Sequence, residues 1–101
     1  MIGRGTTPTH TFTLPCDSSL IKSMMIIYAQ DDVEVFHKDT EDCSFEGNTV
    51  KVTLTQSDTL LLDHKRNVQL QLRVLTNDGV AFRSNIETVA VGKILNDEVL
   101  E

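Results

Sequence analysis

Hydrolysis or group transfer needs a nucleophile, a base or a paired acid held together, and this chain offers His10, His37, His64, Cys16, Cys43 and its carboxylates. The three histidines fall in different expected elements, with neither triad nor metal-ligand spacing. His37 with Asp39, Glu41 and Asp42 comes nearest to an acidic cation cluster, but it lacks the ordered spacing and turn glycine of a calcium loop. Cys16 stands beside Asp17, with no cation close in sequence to generate a thiolate. Gly3, Gly5, Gly47, Gly79 and Gly92 form neither a phosphate loop nor a dinucleotide fingerprint. We therefore expect no catalytic residues, no metal site and no cofactor. His10 shares a face with Phe12 and Leu14 and reads as a packed or interfacial histidine.

Such side chains need a frame, and 101 residues leave room for one domain around one modest core, residues 1–101. Twelve Thr, ten Val and six Ile favour a pleated surface over a helix. Thr9 to Leu14 alternates threonine with His10, Phe12 and Leu14, as a half-buried strand does. Leu20 to Gln30 is largely apolar on both faces, with Met24, Ile26 and Tyr28 on one and Ile21, Met25, Ile27 and Ala29 on the other; it predicts an inner strand touching a second layer or a partner. Asp31-Asp32 predicts a hairpin turn into Val33 to His37, and Lys38 to Asp42 a loop. Cys43 to Glu46 and Thr49 to Thr55 pair through Gly47-Asn48.

Residues 55–62 predict a corner across the end of a sandwich, with a short helix as the alternative. Val68, Leu70, Leu72 and Val74 alternate with polar residues and mark a central strand. Asn77-Asp78-Gly79 turns into Val80 to Arg83, Ser84 to Ile86 is a candidate bulge, and a strand follows around Glu87 to Val91. Residues 1–8 are expected to form a flexible arm and 93–101 an edge strand or tail. Seven or eight short strands predict an all-β fold, an antiparallel β-sandwich, with a small barrel as the alternative closure.

The formal charge of -6 argues against nucleic acid as a partner, and the nine Lys and Arg form no basic stripe. Acid concentrates between Asp31 and Glu46, where Lys38 is the single Lys or Arg. The longest apolar runs fall far short of a membrane span, and the first eight residues lack a signal-peptide core. Synthesis in a reducing cytoplasm is the expectation, with Cys16 and Cys43 as free thiols rather than a disulfide pair. For protein contacts the candidates are Tyr28, whose hydroxyl suits a polar rim, Phe36 and Phe45 beside the acidic stretch, and Leu95, Val99 and Leu100 in the tail. Phe12 and Phe82 are expected in the core. If the tail residues lack cover, self-association follows.

The segments Arg4 to Phe12, Leu54 to Thr59, Gln71 to Val74 and Asp78-Gly79 resemble small proteins carried by phages and prophages of low-GC Gram-positive bacteria. Their pattern is also similar to the amino-terminal immunoglobulin-like domains of siphophage upper baseplate proteins. The resemblance implies an immunoglobulin-like sandwich acting as a structural or assembly protein of the phage tail or baseplate. It would be made in the bacterial cytoplasm and could enter the virion. A small β-domain that binds carbohydrate or a cell-surface polymer is the alternative function, and it requires Tyr28 to be exposed beside hydrogen-bonding groups.

Overall fold

The computed structural model describes all 101 residues, Met1–Glu101. Ten strands form in chain order: β1 (Ile2–Gly3), β2 (Thr9–Thr13), β3 (Ile21–Gln30), β4 (Val33–Asp39), β5 (Cys43–Glu46), β6 (Thr49–Thr53), β7 (Val68–Thr76), β8 (Ala81–Arg83), β9 (Glu87–Val89) and β10 (Val91–Gly92). One short α-helix, α1 (Gln56–Leu60), links β6 to β7, and single 3-10 turns at Ser18–Leu20 and Thr40–Asp42 precede β3 and β5. One sheet runs β2-β6-β5. The other runs β4-β3-β7, with β8 and β9 both along the far side of β7. These two larger sheets, with a separate two-stranded pairing of β1 and β10, make this a sandwich rather than a closed barrel.

Alternation decides which side chains fill the space between the sheets. From β7 come Val68, Leu70, Leu72 and Val74, from β3 Met24, Ile26 and Tyr28, and from β6 Val50 and Val52, all buried. The opposite face of β7, with Gln69, Gln71 and Arg73, is half-buried or exposed. β7 holds the centre of its sheet by pairing with β3 on one side and with β8 and β9 on the other.

Turn chemistry sets the register. Asp31 and Asp32 both adopt positive φ, 51° and 64°, as a two-residue hairpin turn between β3 and β4 requires. At the β5–β6 hairpin Gly47 supplies the positive φ of 57°, and at the β7–β8 hairpin Gly79 supplies one of 84°. Residues 55–62 contain a true helix rather than an irregular corner. The Thr55 hydroxyl accepts the Asp58 N–H at 3.1 Å while the Asp58 carboxylate accepts the Thr55 N–H at 2.9 Å, a reciprocal cap that starts α1.

The first eight residues are not a free arm. Ile2 is buried at 2% exposure and pairs in parallel with Val91, and its N–H donates to the Ala90 carbonyl. Arg4 donates through its guanidinium to the Leu60 carbonyl and to the Asp97 carboxylate, at 3.1 and 3.0 Å. Burying an isoleucine against the core outweighs the freedom of a glycine-containing segment. The last strand is also broken into more pieces than alternation suggests. Ser84 replaces a stretch of ladder: its Oγ accepts the Leu72 N–H, and its own N–H donates to the Leu72 carbonyl. Beyond Gly92 the chain runs without regular structure.

Candidate functional site

Tyr28 does not lie on a rim. It has no solvent exposure, and its hydroxyl lies 2.7 Å from His10 Nδ1 across the space between the two sheets. No other partner reaches that hydroxyl, so it donates to the neutral imidazole, since the reverse arrangement would bury an unpaired O–H. Burial first, then the proximity of Cys43 and Asp58, raises the Tyr28 phenol far above its ordinary range. Burial, helped by the amino terminus, lowers the His10 pKa. Both shifts preserve the neutral pair.

Phe36 on β4 stacks on Tyr28 at 4.6 Å between centroids and 18° between planes. Lys38 Nζ lies over the Phe36 ring, 5.9 Å from its centroid, and closes a 2.8 Å ion pair with Asp58. Burial works to raise the Asp58 carboxyl, but hydrogen bonds from Lys38 and Thr55 outweigh it and hold the group below the usual range. A column thus runs from β2 through β3 and β4 to α1. It consumes Tyr28 and Phe36 as packing groups. Phe45 is likewise half-buried against the core. Phe82 departs from its expected place: although it pairs with Val74 on the inner side, it is 43% exposed, because the three-residue edge strand β8 has little above it.

Leu95, Val99 and Leu100 are open to solvent, Leu95 almost completely. Gln56 holds the tail in place: its amide donates to the Leu100 carbonyl and accepts the Leu100 N–H, at 3.1 and 2.8 Å. The structure therefore does not bring the sequence-derived contact residues into one site.

It does assemble another surface. On the outward side of the five-stranded sheet, Met25, Ile27 and Ala29 form a half-buried apolar stripe along β3. Against them the register sets Asp39, His37 and Glu34 on β4, and Arg73, Gln71 and Gln69 on β7. Arg83 pairs beside Arg73, and Leu75 extends the apolar ground next to Ala81. One flank is thus acidic and the other basic and amide-bearing. The two-sided apolar pattern of β3 announced the stripe; its flanks depended on strand order.

The acidic stretch is accentuated by the same contacts. Lys38 turns inward to Asp58, so Asp32, Glu34, Asp39, Glu41, Asp42 and Glu46 remain exposed without a lysine or arginine partner. His37 lies between Glu34 at 3.1 Å and Asp39 at 3.5 Å. The hydrogen bond to Glu34 raises its pKa, burial opposes this, and Glu34, Asp39 and Asp42 add to the rise through charge. No group of three or more His, Cys, Asp or Glu side chains is disposed to hold a metal ion. Cys16 and Cys43 are free thiols, and burial, foremost, raises the Cys43 pKa, which disfavours a thiolate.

No protein-family model and no curated protein matches this sequence. Among solved structures, the chain is similar to the immunoglobulin-like domain of mouse leukocyte-associated immunoglobulin-like receptor 1, determined as a strand-swapped dimer. The identity is 14%, the TM-score 0.51, and the match covers 92% of this chain and 86% of that one. A second match is the V domain of amphioxus IgVJ-C2, at 15% identity and a TM-score of 0.37, covering 90% and 97%. The fold is an immunoglobulin-like β-sandwich. Antibody domains pin their sheets together with a disulfide and a buried tryptophan. Here Cys16 and Cys43 are not bonded to each other, the chain has no tryptophan, and the His10–Tyr28 bond spans the sheets. No helix is long and apolar enough to cross a membrane.

Proposed function

We propose that this domain is a protein-interaction module of the phage tail or baseplate region, acting in assembly or as a structural component. It docks through the outward face of the five-stranded sheet. The observation that carries this reading is the Met25–Ile27–Ala29 stripe: a central strand apolar on both faces, of which only one is covered within the domain. An apolar strip supplies contact area, and opposite flanks of Glu34 and Asp39 against Arg73 and Arg83 fix the orientation of a partner. The phage setting is supported by the resemblance of Arg4 to Phe12, Leu54 to Thr59 and Gln71 to Val74 to small phage and prophage proteins. On this reading the protein acts in the bacterial cytoplasm during assembly.

The carbohydrate reading loses its anchor, because Tyr28 is enclosed between the sheets and offers no platform to a sugar. Affinity isolation from a host producing phage tests the proposal. The wild-type domain is expected to recover a tail or baseplate component, and Ile27→Glu to lose it while remaining folded. Recovery of no such component, or equal recovery by the variant, overturns the proposal.

A further inference from the structure

Strand β2 borders only β6, so one of its two edges is free. The Leu14 N–H donates to the Asn48 carbonyl and the Leu54 N–H to the Pro8 carbonyl, at 2.6 and 2.9 Å, while His10 stands opposite Val52 and Phe12 opposite Val50. Even-numbered residues therefore take the hydrogen-bonded positions. The N–H and C=O groups of Thr9, Thr11 and Thr13 point away from β6, towards the free side.

The other edge strands of the two larger sheets carry devices that discourage pairing. β4 bears Glu34, Lys38 and Asp39 and contains a register shift, β5 ends in Glu46, β8 ends in Arg83 and β9 begins with Glu87. β2, Thr-His-Thr-Phe-Thr, has no acidic residue, lysine, arginine, proline or glycine along five residues. Two clefts open beside it. One, of about 220 Å³, is lined by Leu14, Pro15, Val74 and Phe82; the other, of about 330 Å³, by Ile2, Phe12 and Val89.

We propose that the free edge of β2 pairs antiparallel with the same edge of a second copy of this chain, about a two-fold axis at Thr11, joining two three-stranded sheets into one of six. This rests on the reading of the domain as a protein-contact module and names its self-association surface. The sequence is self-complementary under that axis. Thr11 meets Thr11, Thr9 meets Thr13, and threonine pairs across antiparallel strands stabilise a sheet. The paired strands themselves bring no charges together, and Lys51, beside Thr11 on β6, stands three strand spacings, about 14 Å, from its counterpart; of the charged groups lining the flanking clefts, Glu87 lies by Thr9 to Phe12 and Arg83 by Thr13 and Leu14, towards opposite ends of β2. The Lys51 separation exceeds the ~8 Å screening length at physiological salt. The exposed Phe82, beside one cleft, adds apolar contact where the second copy arrives.

Light scattering and sedimentation across a concentration series test the pairing, using wild type, Thr11→Lys, Thr11→Glu and an equimolar mixture of the two variants. The Thr11 side chain is exposed, and thermal melts of each variant verify that it folds. The wild type is expected to rise from 11.3 kDa towards twice that mass. Each variant alone stays at the monomer mass, because like charges meet at the axis, and the mixture recovers the dimer. A wild type that stays monomeric to its solubility limit, a variant that dimerises like the wild type, or a mixture that fails to associate overturns the proposal. A monomer that still recovers a tail component through the Ile27 face removes the dimer and leaves the proposed function standing. A dimer that recovers none does the reverse.

Discussion

His10 Nδ1 and Tyr28 Oη lie 2.7 Å apart and join the two sheets of the sandwich through a neutral hydrogen bond. Tyr28→Phe keeps the ring and its stack on Phe36 but leaves the His10 nitrogen without its donor. The expected loss is about 1–2 kcal/mol, the cost of an unsatisfied half-buried acceptor. Urea unfolding of the two proteins measures it. Equal stability would show that water replaces the hydroxyl without penalty.

The two partnered histidines give opposite pH dependences. Folding raises the His37 pKa, so its contribution is full below its unfolded value, about 6.5, and is lost as pH rises through the raised folded value. Folding lowers the His10 pKa, so its contribution is present above about 6.5 and is lost as pH falls through the lowered value. Unfolding midpoints for wild type and His37→Gln across this range separate the two. The variant is expected to lose the decline on the alkaline side and keep the decline on the acid side. A variant with the wild-type profile would show that Glu34 and Asp39 do not act on His37 in solution.

Ion pairs in this domain differ in burial as well as in length, from 2.8 Å for Lys38–Asp58 to 3.2 and 3.6 Å for Arg66 with Asp31 and Asp63. Lys38 and Asp58 side chains are 17% and 16% exposed, whereas Arg66 is 54% exposed and its partners Asp31 and Asp63 are 70% and 43% exposed. Lys38→Met strands a partly buried carboxylate at the start of α1 and is expected to cost about 1–3 kcal/mol. Arg66→Met is expected to cost no more than ~1 kcal/mol. Chemical denaturation of both variants decides between burial and mere pairing: comparable losses would contradict the distinction.

Local patterns carried much of this fold, and long-range cover carried the rest. Val68 to Val74 advertises one dry face through its period of two, and Asp31-Asp32 advertises its turn through backbone preference; neither needs a distant residue. The burial of Tyr28 depends on His10, eighteen positions away in another sheet, which supplies the acceptor that makes an enclosed phenol tolerable. Ile2 is held by Val91 from the far end of the chain through a two-residue parallel pairing, for which no local pattern exists. Phe82 shows the converse. Its alternation aims it inward beside Val74, but the opposite layer does not cover it. Likewise, the outward stripe on β3 was legible, while its charged flanks required knowing that β4 and β7 are its neighbours.

Leu72→Ala tests the centre of the core. Leu72 is 4% exposed and pairs with Ile26, so truncation leaves a cavity between the sheets. The expected loss is about 2–5 kcal/mol, enough to consume much of the stability of a domain this size. A thermal melt within a few degrees of wild type would mean that the two sheets do not close over Leu72 as described.

Gly5 separates backbone strain from side-chain contact. Its φ of +77° lies in the left-handed region, and a Cβ there would come 2.7 Å from Ile94 Cδ1. That atom ends a side chain able to turn aside, whereas the left-handed backbone itself costs a non-glycine residue about 1–2 kcal/mol. Gly5→Ala is therefore expected to destabilise by at least that amount, and Ile94→Ala to relieve only the excess. A double-mutant cycle measured by urea unfolding reads the two parts independently. Complete rescue by Ile94→Ala would assign the penalty to the contact. Persistence of ~1 kcal/mol or more assigns it to the turn that carries β1 away from β10 towards β2.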